Sequence, residues 1–227
     1  MRAVVQNPVA GDVADSPRRS NQRSRQNPPD LRLVGDDSGG NAAARAPRLA
    51  AIVAADMVDY TRHMATDEAG THARFADLRR RVLAPGLARH GARIVKHTGD
   101  GFLAEFASAT QAVWFAVRFQ DAVRVGNARR AYARRLEFRV GINLGDVIVD
   151  AHDVFGHSVN IAARLEAVAR PGGVLVSHAV FASVRDPRLR FEAAGELSLR
   201  NVDEPVRGFH ARLSGRGGWG EQRDSNP

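Results

Sequence analysis

The stretch RIVKHTGDGFLAEF, residues 93–106, predicts a β-hairpin. Its two short strand-like segments, Arg93–Val95 and Phe102–Phe106, are separated by Thr98-Gly99-Asp100-Gly101. A Gly-Asp-Gly sequence between two such segments is typical of a tight turn that joins antiparallel strands. The hairpin therefore favours an antiparallel sheet over a doubly wound parallel sheet.

The segments on either side of this hairpin predict a buried strand and two helices. The apolar run Leu49–Ala55 is typical of a buried strand, and it ends at Asp56. Thr66, which two acidic residues follow, is a suitable N-cap for a first helix that should end at Pro85. Ser108 is a suitable N-cap for a second helix.

The C-terminal half of the chain predicts a second hairpin and a third helix. The hairpin would pair Leu136–Ile142 with Val147–Val149 and turn near residues 143–145. The helix would start at Ser158 and end before Pro171. Further strands are predicted at Val174–Val176, Leu189–Phe191 and Gly208–Arg212. We therefore expect an α+β fold, in which helices pack on one face of an antiparallel-rich, ferredoxin-like sheet.

Composition divides the chain of 227 residues into three parts. Residues 1–47 lack aromatic side chains and are rich in proline and polar residues, which predicts a disordered leader. The glycine-rich residues 214–227 predict a disordered tail, so the folded domain should span residues 48–213. The chain has no cysteine, which excludes disulfides and thiolate metal sites and points to the cytoplasm. No apolar run is long enough to cross a membrane.

The basic charge of the chain is carried almost entirely by arginine. The formal net charge is +8, and Lys96 is the only lysine among 33 basic residues. One arginine cluster, formed by Arg129, Arg130, Arg134 and Arg135, has only Tyr132 as an aromatic neighbour and matches no nucleic-acid-binding motif. We therefore interpret it as a polar loop and expect no nucleic-acid partner.

Two aspartates stand at positions that suit metal binding. Asp56 follows the first predicted strand, and Asp100 lies in the turn of the 93–106 hairpin. Two carboxylates at one edge of a sheet can bridge a pair of hard cations. The structural alternative is that Asp100 only serves its turn.

Two residues of the third predicted helix suggest a second kind of site. Asn160 and Arg164 are four residues apart and share one face of that helix. An amide and a guanidinium could hold a sugar and a phosphate. Taken alone, however, these residues are better explained by a solvated helix face on which Arg164 pairs with Glu166 or a neighbour. Lys96 suggests a position that requires a compact ammonium group, or it is a chance occurrence.

Several stretches of the sequence strongly resemble the motifs of the class III nucleotidyl cyclase catalytic domain. They are AADMVDYT (residues 54–61), KHTGDG (96–101), GINLGD (141–146), DVFG (153–156) and VNIAARLE (159–166). The resemblance extends over residues 48–213 in order and spacing, and it is strongest to the bacterial adenylate cyclase branch. It implies the class III nucleotidyl cyclase fold.

The resemblance also implies a metal site. By this resemblance Asp56 and Asp100 are the two metal-binding aspartates, and the Met57 carbonyl is a further ligand of two divalent cations, Mg²⁺ or Mn²⁺. The sequence departs from the family at Asp59, where glycine is usual. A carboxylate near the triphosphate adds like charge, so affinity for ATP is expected to be lower.

The remaining site residues are likewise implied by the resemblance. Lys96 and Asp153 match the pair that reads the adenine base, Asn160 matches the residue that orients the ribose, and Arg164 matches the one that stabilises the transition state. Arg200 occupies the position of a phosphate-binding lysine. These positions predict an adenylate cyclase that converts ATP into 3′,5′-cyclic AMP and pyrophosphate.

In this family the active site lies between two subunits of a head-to-tail dimer. The resemblance therefore implies a homodimer with its active sites at the interface. Two alternatives stay open within the family, a guanylate cyclase and a catalytically weak nucleotide-binding or dimerisation module. An arginine-driven nucleic-acid-binding domain is a third alternative.

Overall fold

The computed structural model describes residues 46–149 and 153–215. Most of the predicted leader and tail lie outside these described residues, so their disorder and the 48–213 domain limits stay predictions. In the described residues the order of elements is β1 (Arg48–Met57), α1 (Tyr60–Leu78), α2 (Ala84–Arg89), β2 (Arg93–His97), β3 (Phe102–Phe106), α3 (Ala109–Asn127), β4 (Phe138–Val149), β5 (Val154–Phe155), α4 (His157–Val168), β6 (Val174–Ser177), α5 (His178–Ser183), β7 (Leu189–Leu197) and β8 (Val206–Leu213).

The strands form one mixed sheet, and the predicted α+β class is confirmed. The strand order is β2-β3-β1-β4-β6-β8-β7, and β5 pairs with the end of β4. Every pair is antiparallel except β4 with β6. The 93–106 hairpin is confirmed as β2 and β3, although β2 extends to His97. None of the described helices is long and apolar enough to cross a bilayer.

Strand β1 is the centre of the fold. It pairs with β3 from Ala51 to Ala55 and with β4 along its whole length. Alternate residues of a strand point to opposite faces of the sheet, so both faces of β1 can be buried at once. Ala51 and Val53 belong to the core under α1 and α3, whereas Ile52 belongs to a second core that includes Ala162 of α4.

The prediction that helices cover only one face is therefore wrong. Helix α3 packs on one face of the sheet through Phe115 and Phe119, and α4 packs on the opposite face through Ala162. Residues 49–55 of β1 form an unbroken apolar run, so the residues that point to either face of the sheet are apolar. Such a strand needs cover on both sides, because exposing either apolar face to water would cost free energy.

The predicted second hairpin is also wrong. Residues 138–149 form the single strand β4, which does not turn at residues 143–145. The residues that suggested a turn instead let α4 approach the strand closely. A Cβ atom at Gly141 would lie 2.8 Å from the Cα of Glu166, and one at Gly145 would contact the Ser158 hydroxyl. Asn143 then donates a hydrogen bond from Nδ2 to the Ser158 carbonyl at 3.2 Å.

The limits of the first helix differ from the prediction as well. Helix α1 begins at Tyr60, and Asp67 interrupts it with a non-helical backbone. Asp67 rather than Thr66 caps the following turn, because its Oδ1 accepts a hydrogen bond from the Gly70 amide at 2.9 Å. Pro85 does not end the helix, because it lies in the first turn of α2, where its missing N–H is tolerated.

The second and third helices agree more closely with their predicted caps. Ser108 is the N-cap of α3, and its side chain accepts a hydrogen bond from the Gln111 amide. Helix α4 begins at His157, one residue before the predicted start, and ends at Val168. Strand β5, helix α5 and a 3₁₀ turn, Tyr132–Arg134, lie outside the predictions. Within the predicted first helix, Arg79–Leu83 forms a π-helical turn.

The close packing of α4 on β4 predicts a specific sensitivity at Gly141. Gly141→Ala should lower the free energy of unfolding by about 1 to 3 kcal/mol, because its methyl group meets the backbone of α4. Gly126→Ala is the matched control, since no atom lies within 4 Å of its added methyl group. The control should be neutral or stabilising by up to about 1 kcal/mol. Urea unfolding of both variants measures the difference, and equal stabilities would contradict the packing.

Candidate active site

Asp56 and Asp100 lie side by side at one end of β1. Burial and then the neighbouring charge of Asp100 raise the pKa of Asp56 above its usual value. The Met57 amide donates a hydrogen bond to the Asp56 carboxylate and opposes this shift. Two apposed carboxylates repel each other, and a divalent cation between them would remove that repulsion.

The turn that carries Asp100 is pressed against the end of β1. The Thr98 amide donates to the Gly101 carbonyl at 3.1 Å and closes the turn. A Cβ atom at Gly101 would lie 2.9 Å from Oδ1 of Asp56 and 2.7 Å from the Thr98 hydroxyl, and it would collide with the Ala55 carbonyl. Glycine is therefore required at position 101 for the two aspartates to meet.

Glu166 is a third acidic group in this region. Burial first, and then the charges of Asp56 and Asp100, together raise its pKa to about 7, while the charge of Arg139 opposes the shift. The sequence suggested Glu166 only as a partner of Arg164, but no hydrogen bond or ion pair joins these two described residues. The Gly141–Glu166 contact is the reason for its position, and a single sequence does not reveal such a contact.

The donor set fits hard divalent cations. Carboxylate and carbonyl oxygens are the ligands that Mg²⁺ and Mn²⁺ prefer. Asp56 and Asp100 supply carboxylates, and the Met57 carbonyl is the predicted further ligand. Within residues 46–149 and 153–215 no group of three or more histidine or acidic side chains is arranged to hold a metal ion. A site here would thus combine side-chain and backbone or substrate oxygens.

Asp59 lies in the loop between β1 and α1. Its φ is 55°, in the left-handed region that glycine adopts easily and that aspartate tolerates better than most residues. The Asp59 carboxylate makes no cap hydrogen bond and instead pairs with Arg62 at 3.0 Å. This backbone conformation accounts for the usual glycine at the position, and Arg62 offsets part of the added charge.

Lys96 and Asp153 are 57 positions apart in the sequence and form an ion pair. Nζ of Lys96 lies 2.9 Å and 3.1 Å from the two carboxylate oxygens of Asp153. The hydrogen bond from Lys96, and then one from the Val154 amide, hold the pKa of Asp153 below its usual value. The pair thus places an ammonium donor and a carboxylate acceptor next to each other on the surface.

Asn160 and Arg164 lie on one side of α4, away from the sheet. The buried residues of α4 are Ser158, Ala162 and Leu165. Within the described part of the chain, neither Asn160 nor Arg164 has a hydrogen-bond or ion-pair partner. Arg200 is exposed in the turn after β7, next to the buried Leu199 that packs near α4. The structure does not place Arg200 in contact with the other predicted site residues.

Known proteins that resemble this chain identify its family. The profile of the family described as Adenylate and Guanylate cyclase catalytic domain matches residues 50–211. The chain belongs to this family. The "Putative adenylate cyclase 3" of Rhizobium meliloti is 42% identical over 160 residues, which are 70% of this chain and 27% of that protein.

Solved structures agree with this assignment. The adenylate/guanylate cyclase/hydrolase from Silicibacter pomeroyi is 37% identical to this cyclase domain, with a TM-score of 0.67 and coverage of 74% and 99% of the two chains. An adenylate cyclase from Trypanosoma brucei in its monomeric state is 26% identical, with a TM-score of 0.63 and coverage of 75% and 92%. These likenesses confirm the class III cyclase fold.

This cyclase domain spans only part of its curated relatives. It covers 27% of the Rhizobium protein and 22% of a serine/threonine-protein kinase from Myxococcus xanthus that is 24% identical over 180 residues. The similarity to these relatives is therefore a similarity of the cyclase domain and not of the whole proteins.

The raised pKa of Glu166 predicts a pH-dependent loss of stability. Without metal, the folded chain keeps a proton on Glu166 up to about pH 7, whereas the unfolded chain releases it near the ordinary value of 4.5. Stability should therefore fall as the pH rises between these two values. Relative to wild type, Glu166→Gln should gain about 1 to 2 kcal/mol from pH 5 to pH 8, an amount reduced by partial solvent screening.

Thermal unfolding in a chelator at the two pH values measures this gain. Glu68→Gln changes an exposed glutamate of α1 and serves as the control. A Glu166→Gln difference that does not change with pH would contradict the position given to Glu166.

Proposed function

We propose that this domain is an adenylate cyclase that converts ATP into 3′,5′-cyclic AMP and pyrophosphate. The observation that supports it most directly is the side-by-side placement of Asp56 and Asp100 at the end of β1. The family membership gives the reaction class, and the Lys96–Asp153 pair supports adenine as the base.

Asp56 and Asp100, with the Met57 carbonyl, would hold two divalent cations. Bound there, such ions lower the pKa of a ribose 3′-hydroxyl and neutralise phosphate charge. The 3′ oxygen attacks the α-phosphorus in line, and the bond from that phosphorus to the leaving pyrophosphate breaks. No protein nucleophile takes part. Cations bound beside Asp56 and Asp100 would offset the charges that raise the pKa of Glu166 and so favour its ionised form.

Asn160 and Arg164 would act on the substrate rather than on the metals. The Asn160 amide can hydrogen-bond the ribose, and the Arg164 guanidinium can stabilise charge that develops on the α-phosphate. Removing one such preorganised donor commonly costs about 3 to 4 kcal/mol of transition-state stabilisation. Arg164 has no partner among the described residues, which supports its availability for phosphate.

The Lys96–Asp153 pair matches the hydrogen-bonding edge of adenine. Adenine offers an acceptor at N1 and a donor at N6, which suit the ammonium and the carboxylate. Guanine offers a donor at N1 and an acceptor at O6, so a bound guanine would cover one group of the pair and leave it without a hydrogen bond. Such a mispairing costs roughly 1 to 3 kcal/mol, which corresponds to about 5-fold to 150-fold in selectivity.

Helix geometry supports an active site shared by two chains. Residues two positions apart on an α-helix point about 200° away from each other. Glu166 is close enough to Asp56 and Asp100 for their charges to raise its pKa, so Arg164 points away from these aspartates of its own chain. We therefore propose a head-to-tail homodimer, in which Asn160 and Arg164 serve the aspartates of the partner.

Exposed apolar residues near α4 support this dimer. Ile148 of β4 and Phe155 of β5 face each other across the β4–β5 pair and are 46% and 53% exposed. Exposed apolar side chains that lie together are typical of an interface. We also propose a cytoplasmic location, for which the absence of cysteine is the support.

The alternative of a catalytically weak domain rests on one observation. Asp59 places a carboxylate in the loop that follows the first metal aspartate, where it repels a triphosphate. Its ion pair with Arg62 offsets part of this effect and favours an active enzyme with a raised KM over an inactive one.

Turnover of nucleotides by the purified chain tests the proposed function. With Mg²⁺ or Mn²⁺, ATP should yield 3′,5′-cyclic AMP and pyrophosphate, and kcat/KM for ATP should exceed that for GTP by about 5-fold to 150-fold. Asp56→Asn and Asp100→Asn should each lower kcat by at least about 100-fold, because each removes charge from the cation site. Asp146→Asn is a control, as it alters an exposed carboxylate of β4 that has no proposed role.

Two outcomes would contradict the proposal at different levels. Turnover that survives either aspartate variant at saturating metal would remove Asp56 and Asp100 from the cation site. A preference for GTP would instead leave the reaction class in place and remove Lys96 and Asp153 from the reading of adenine.

A further inference from the structure

A basic groove lies between α2 and α3. Its volume is about 550 Å³, a size that suits a small organic ligand. We define the basic groove by its lining, which combines arginines and a histidine with an apolar floor: Arg81, Val82, Pro85, Gly86, Arg89, His90, Gln111, Trp114, Phe115, Arg118, Phe119, Ala122 and Arg188. No carboxylate belongs to this lining.

Two guanidinium groups of the basic groove have no acidic partner among the described residues. Arg81 pairs with Asp77 at 2.7 Å, and Arg188 pairs with Asp186 at 2.7 Å. Arg89 and Arg118 form no such ion pair, so their charges remain uncompensated. Unpaired guanidiniums that line one concave volume attract an anion, and their planar N–H groups suit phosphate oxygens.

Trp114 positions two arginines of the basic groove, Arg118 and Arg188. The guanidinium carbons of Arg118 and Arg188 lie 5.4 Å and 4.8 Å from the indole ring centroid. The indole Nε1 donates a hydrogen bond to Asp186 at 2.9 Å, and Asp186 also accepts from Arg188. Arg118 is thus fixed by an aromatic ring rather than by a carboxylate, which leaves its N–H donors available to a ligand.

The floor of the basic groove is apolar. The apolar lining that a ligand can reach includes Val82, Pro85 and Ala122, which are exposed or half-buried. Phe115 and Phe119 are only 2% and 3% exposed and belong to the core behind them. A ligand that fits both parts needs an anionic group for the arginines and a compact apolar body for the floor. Inorganic phosphate satisfies only the first requirement.

We propose that the basic groove binds a small organic phosphate, a phosphate monoester that carries an apolar or aromatic group. Arg89 and Arg118 bind the phosphate, and Val82, Pro85 and Ala122 contact the apolar group. The basic groove is separate from the proposed active site, because α3 and α4 cover opposite faces of the sheet. It borders α2, which precedes the strand that carries Lys96, so an occupant could influence catalysis from this side.

Phenyl phosphate is a suitable probe, and a chelator keeps metal from the aspartate site during the measurement. The full chain should carry Trp219→Phe, which leaves Trp114 as its only tryptophan. Calorimetric titration should show saturable binding of phenyl phosphate, and Trp114 fluorescence should change over the same concentrations. Inorganic phosphate lacks the apolar ring, and phenol lacks the phosphate group. Both should therefore bind at least about tenfold more weakly than phenyl phosphate.

Paired arginine variants locate the binding. Arg89→Gln with Arg118→Gln should raise the Kd for phenyl phosphate at least about tenfold, because both phosphate donors are lost. Arg129→Gln with Arg134→Gln removes the same charge from the exposed loop after α3 and should change the Kd less than about twofold. All four are exposed side chains, and thermal unfolding confirms that both double variants are folded.

Three results would overturn the proposal. They are titration of the wild-type chain without saturation, equal affinity for phenyl phosphate and inorganic phosphate, and equal weakening by the two double variants. The last result would show attraction to the general basic charge of the chain rather than binding in the basic groove. None of these measurements depends on turnover of ATP, so they stand apart from the proposed function.

Discussion

The burial of β1 on both faces is the constraint on which the rest of the structure depends. Its small apolar residues let strands pair on both edges and helices pack above and below. Because β1 packs against helices on both faces, a shift of this strand would disturb the packing of both hydrophobic cores. The backbone that carries Asp56 therefore has a fixed position. The β2–β3 turn then brings Asp100 to it, because Gly101 permits the contact.

Much of this arrangement could be predicted from sequence because it is encoded locally. The 93–106 hairpin and the run before Asp56 carry their own patterns of apolar and turn residues. The motifs then identified the family, which the comparisons confirm. The pairing of Lys96 with Asp153 was predicted only through that resemblance, since 57 residues separate them. The roles of the site residues stay predictions.

The errors arose where a glycine or a proline served packing rather than a turn. Gly145 resembled the centre of a hairpin, but it makes room for Ser158 of α4. Pro85 resembled a helix end, but a first-turn position in α2 accommodates it. Glu166 was overlooked because its position follows from the contact between α4 and β4. Long-range packing decides the cases of Gly145 and Glu166, and a local pattern does not contain that information. For Pro85 the local signal was ambiguous, because proline is tolerated in the first turn of a helix.

In the proposed dimer each active site takes its aspartates from one chain and Arg164 from the other. Mixing inactive Asp56→Ala with inactive Arg164→Ala tests it most directly, because their heterodimer contains one site with every group intact. The account predicts that cyclase activity partly returns on mixing. A mixture that stays inactive, although subunit exchange is demonstrated by differently tagged chains, would contradict the shared site.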